Sequence, residues 1–174
     1  MGKTFSELLA AKRRVKELEQ EVVTLKEQLR PIPPPNIVGE ISAAEVEAKI
    51  REIFPNVETL KIADRKYKLT TVEEMNRFLA RDDTDKITWV REWPDCDDFT
   101  RRLLGNMTVP GWWSLAKGDC WIYGEDWGHS IVITLLYEGE QDTEPRVYFI
   151  EGQSDAMELA PEMFEDISVG LIKI

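Results

Sequence analysis

Apolar residues near the start of the chain recur at alternating steps of three and four. Leu8, Val15, Val22 and Leu29 hold one heptad position, and Ala11, Leu18 and Leu25 hold the other. This spacing lays a narrow apolar seam along one side of a helix, the pattern of a coiled coil. β-Branched residues at the first position and Leu at the second favour two parallel strands. Arg14 can then meet Glu19 of a partner, and Glu21 can meet Lys26. A homo-oligomer through residues 8–29, a dimer first and a trimer second, is the expectation. An amphipathic helix folded back on its own domain is the competing reading. Pro31-Ile32-Pro33-Pro34-Pro35 breaks the pattern and favours a stiff extended segment. The predicted organisation is therefore a helix over 1–30, a linker over 31–36 and a folded domain over 37–174.

In that domain the helical period comes first. Ser42-Ala43-Ala44-Glu45 reads as a capping box opening a helix to about Phe54, before Pro55. Thr71-Val72-Glu73-Glu74 reads as a second box, followed by an apolar face of Val72, Met75, Phe78 and Leu79 ending near Arg81. Residues 59–69 between them suggest a short hairpin or strands. A third helix opens at Pro94-Asp95-Cys96, buries Phe99, Leu103 and Leu104, and stops at Gly105; residues 108–119 read as loop. After Cys120 the period falls to two, giving strands over 120–123, 129–137, 146–151 and 169–174. Helices followed by an antiparallel sheet make the fold class α+β.

Charge sharpens the division. The chain carries a net charge of -11. Residues 1–30 are net +2 and the rest net -13, which argues against a non-specific nucleic-acid binder. No apolar run approaches the ~20 residues of a membrane span. The two cysteines exclude a disulfide scaffold. With no secretory h-region at the start, a cytoplasmic location is expected. Met1-Gly2 with Ser6 fits the outline of a myristoylation site in a eukaryotic host. Asp82-Asp83-Thr84-Asp85 lacks the spacing of a calcium loop and reads as a solvated turn.

The chain has one histidine, so any Cys–His chemistry must use His129. Cys96 sits where a helix begins, and a helix start favours the thiolate. Asp95, Asp97 and Asp98 oppose this by raising the thiol pKa. His129 starts one strand and Glu151 ends the next, which brings a carboxylate near the imidazole in an antiparallel pair. The order Cys, His, acid is the papain-like arrangement. Cys120 lies inside an apolar strand and reads as core. Trp112, Trp113 and Trp127 are candidates to line a substrate groove, and Gln153 to hydrogen-bond beside it.

The stretches Asp95-Cys96-Asp97-Asp98-Phe99, Leu104-Gly105-Asn106, Pro110-Gly111-Trp112, Gly128-His129-Ser130 and Phe149-Ile150-Glu151-Gly152-Gln153 together resemble the papain-like C-terminal domain of mushroom agglutinins and its small bacterial and phage relatives. The resemblance spans roughly residues 38–165. It implies a Cys96–His129–Glu151 triad, a thiol peptidase or amidase acting on a protein or peptide substrate, and calcium as an assisting ion. It also leaves virion association open. The expectation is a thiol hydrolase on a self-associating coiled coil. The alternative is a non-enzymatic structural or assembly protein that keeps the fold.

Overall fold

The computed structural model describes residues 5–28 and 31–174, with the side chains of Ser6 and residues 24–28 left aside. Met1-Gly2 and Leu29, and the side chains of Leu25 and Lys26, lie outside what is described. Two compact units result, residues 1–32 and 33–174.

The first unit is one helix, α1 (Phe5–Gln28). Leu8, Val15, Leu18 and Val22 are all exposed along it, at 43–54%. Arg14 Nη1 donates to Glu17 Oε2 at 3.2 Å, one turn along.

The second unit mixes helices with two sheets, an α+β arrangement. A two-stranded antiparallel sheet pairs β1 (Gly39–Ser42) with β3 (Lys66–Leu69). The main sheet contains β2 (Thr59–Lys61), β4 (Lys117–Tyr123), β5 (Gly128–Leu136), β6 (Arg146–Ile150), β7 (Met157–Leu159) and β8 (Ser168–Lys173), in the order β2-β8-β4-β5-β6-β7. β2 runs parallel to β8; the other neighbours are antiparallel. Residues 59–69 are thus no hairpin, because β2 and β3 join different sheets. The expected loop over 108–119 is cut short, since β4 begins at Lys117.

The helices start where their caps dictate. α2 (Ala43–Ile53) opens on a reciprocal Ser42–Glu45 capping box and buries Val46 and Ile50, one turn apart. α3 (Val72–Leu79) opens on Thr71, whose side chain accepts from the Glu74 amide, and buries Met75, Phe78 and Leu79. α4 (Cys96–Asn106) opens after Asp95 and buries Phe99 and Leu103. A short α5 (Ala160–Met163) follows β7. Ile131, Ile133 and Leu135 of β5 join Val46, Ile50, Cys120 and Phe149 in one apolar core. Ile131 through Leu136 are buried without alternation, as a strand covered on both faces must be. β5 therefore forms a rigid centre from which His129 projects at the open end. β4 and β8 approach closely at Gly118, where a Cβ would stand 1.9 Å from the Lys173 carbonyl oxygen.

Candidate functional site

The β5–β6 ladder pairs Val132 with Ile150. Carried further outward, this register sets Ile131 against Glu151 after one residue and His129 against Gln153 after three. Glu151 reaches diagonally to the imidazole: His129 Nε2 and Glu151 Oε2 lie 2.6 Å apart. The second carboxylate oxygen accepts from the Gln153 amide at 3.0 Å. Burial alone would raise the Glu151 pKa, but the bonds from His129 and the Gln153 amide outweigh it and hold the carboxyl below its ordinary value. Phe164 packs edge-on to the imidazole, with ring centroids 6.2 Å apart.

Cys96 begins α4 and is half-buried. The Ser130 backbone amide, next to His129, favours its thiolate form. Burial pushes the thiol pKa up; the Ser130 amide opposes this, while the charges of Asp95 and Asp97 add to it. The net shift is upward, away from the thiolate. Burial, with Asp119 nearby, pushes the fully buried Cys120 thiol up much further.

Asp95, Asp97 and Asp98 bring one carboxylate oxygen each within 4.8 Å of one another. Asp95 and Asp97 share a hydrogen bond that raises the first pKa and lowers the second, and Arg101 pairs with both Asp97 and Asp98. The cluster is already neutralised in part by these protein groups. A second acidic group, missed from sequence, joins Asp82, Asp85 and Asp155. Asp82 is 3% exposed, which corrects the solvated-turn reading. It accepts from the Thr84 amide and from Asn106 Nδ2 at 2.9 and 2.7 Å. One buried oxygen each of Asp85 and Asp155 has no hydrogen-bond partner.

The tryptophans part company. Trp112 is fully buried, packs 4.6 Å from the Phe78 ring and donates from Nε1 to the Pro33 carbonyl at 2.8 Å. It anchors the loop and lines no groove, because its one polar atom is spent on the backbone. The Lys117 ammonium holds the same loop through the Trp112 and Trp113 carbonyls, and burial draws its pKa down to about 8. Trp113 and Trp127 stand 62% and 44% exposed, Trp127 against Phe164 at 5.9 Å.

No family model and no curated protein matches the chain. Two of the solved structures that are similar in fold show what kind of protein shares it. One, titled a complex of PSL1a with E64, superposes with a TM-score of 0.64 at 16% identity, over 78% of this chain and 51% of that one. The other is Polyporus squamosus lectin bound to the human-type influenza-binding epitope Neu5Aca2-6Galb1-4GlcNAc, with a TM-score of 0.61 at 16% identity, over 78% and 49%. The chain spans about half the length of these neighbours, and at this identity the likeness establishes fold alone.

These neighbours correct the functional expectation. They are structures of a lectin, so the resemblance to a thiol-protease domain and the peptidase or amidase reading drawn from it do not stand. The surroundings of the thiol run the same way. The helix start that would favour a thiolate is outweighed by burial and by the aspartates around it. Among the described residues no helix is long and apolar enough to cross a membrane.

Proposed function

We propose that the chain is a non-enzymatic assembly protein, in which a coiled coil over residues 8–29 gathers copies of the α+β domain spanning 37–174. The observation that carries this reading is the seam of Leu8, Val15, Leu18 and Val22, exposed on a helix outside the unit that holds the core. A helix of this length is marginal in water alone, and burying that seam against a second copy supplies what it lacks. The test is sedimentation equilibrium of the full chain together with an electrophilic acyl probe for thiols. Self-association without covalent labelling of Cys96 is expected; rapid labelling of Cys96 would overturn the non-enzymatic reading.

A second reading concerns what the domain holds. Trp127, 44% exposed, and His129 both pack on the Phe164 ring, which sets a partly exposed indole on the same aromatic side chain as the imidazole of the His129–Glu151 pair. That combination suits a sugar ring, and the second neighbour's title names a bound glycan. Titration of tryptophan fluorescence with sialylated and neutral oligosaccharides tests it, with Trp127→Ala expected to abolish any quenching.

A further inference from the structure

The helix codes more than association. With Leu8, Val15 and Val22 at the first core position, Glu7, Arg14 and Glu21 fall just before that position. Lys12, Glu19 and Lys26 fall just after the second core position. In a parallel pair, each residue of the first set faces the residue five places further along the partner. The facing pairs are then Glu7 with Lys12, Arg14 with Glu19 and Glu21 with Lys26, every one of opposite sign. Sliding one chain by a heptad in either direction sets Glu7 against Glu19 and Arg14 against Lys26, or Arg14 against Lys12 and Glu21 against Glu19. Every one of those pairs is of like sign.

We propose that residues 5–28 form a parallel homodimer whose register is fixed by these alternating flanking charges. This rests on the self-association reading above. The exposed seam on α1 supplies the apolar face, and charge complementarity identifies a second copy of the chain as its occupant. The seam alone does not set register, because Val15 can pack against Val22 of a slipped partner nearly as well as against Val15. The charges do, because a slip turns every attraction into a repulsion. Arg14 already bonds Glu17 within its own helix, and a guanidinium has donors enough to serve both. The parallel arrangement sets both Pro31–Pro35 segments at one end of the pair.

The test is a charge-reversal cycle on the full chain, read as the dimer dissociation constant by sedimentation equilibrium at low salt. Arg14→Glu and Glu19→Lys should each weaken the dimer by about fivefold, since each replaces two symmetry-related attractions by repulsions. The double variant should return to near the native constant. Positions five apart on one helix are not neighbours, so that recovery can arise only between chains. A double variant no tighter than the weaker single one overturns the inference while leaving the dimer standing. A native chain that is monomeric throughout defeats the self-association reading itself.

Discussion

Asp155 should destabilise the folded domain at neutral pH, and removing its charge should stabilise it. Burial, then the charges of Asp85 and Asp82, push its pKa up to about 6. An unfolded aspartate titrates near ~3.9. Between those values the unfolded chain has released a proton that the folded chain still holds. Stability from this group therefore falls as pH rises through that window, and the loss is complete above the folded pKa. Two pKa units correspond to about 3 kcal/mol as a ceiling. The side chain is only half-buried, so solvent screening brings the expected effect to about 1 kcal/mol. Asp155 also holds a left-handed backbone, φ 58°, which asparagine tolerates as readily. Asp155→Asn should thus gain about 1 kcal/mol at pH 7 and nothing at pH 3.5. Urea unfolding of both proteins across pH 3.5 to 8 measures the difference. A gain of equal size at every pH would locate the effect in the backbone; a loss at pH 7 would mean that the charge is wanted there. Calcium is the control. A cation held by these carboxylates raises the native midpoint at pH 7 and loses that effect in Asp155→Asn.

Iodoacetamide at neutral pH should modify Cys96 before Cys120 but more slowly than free cysteine, because burial and aspartates keep both thiols protonated; labelling faster than free cysteine would show an activated thiolate. Deleting residues 1–30 should leave a folded monomer with an unchanged thermal midpoint, since the apolar core lies wholly within residues 33–174; an oligomer that survives the deletion would place the contact in the domain. Gly118→Ala should cost about 2–3 kcal/mol in urea unfolding, because the added Cβ meets the Lys173 carbonyl and the two strands must part; a cost under about 0.5 kcal/mol would mean the strands yield freely.

What could be read from sequence divides by the range of the interaction. Helix starts are local: Ser42, Thr71 and Asp95 cap helices with side chains that reach three residues on, so the signal and its cause share one turn. Of the four longer strands, β4 alternates, whereas β5 and β6 show themselves as continuous runs rich in Ile, Val, Tyr and Phe. β1 and β7 have four and three residues, too few to show a period. The parallel β2–β8 pairing joins segments more than 100 residues apart, and nothing in either strand names its partner. Chemistry follows the same rule. The His129–Glu151 pair is legible because one connection between consecutive strands fixes its register. The burial of Asp82 is not, because only one of the two groups that satisfy it, the Thr84 amide, is local; the other is Asn106, on α4. Trp112 shows the cost of reading residue type without partners. A tryptophan beside Pro110-Gly111 looks equally like a groove wall or a core anchor until the carbonyl that receives its N–H is found at Pro33. The reactivity of the thiol is hard to read for a related reason. A helix start, an order of residues and a lone histidine describe positions, whereas reactivity is set by a sum of opposing terms. In that sum the desolvation of Cys96 is the largest, and it depends on how α4 lies against β5, which no residue near Cys96 encodes.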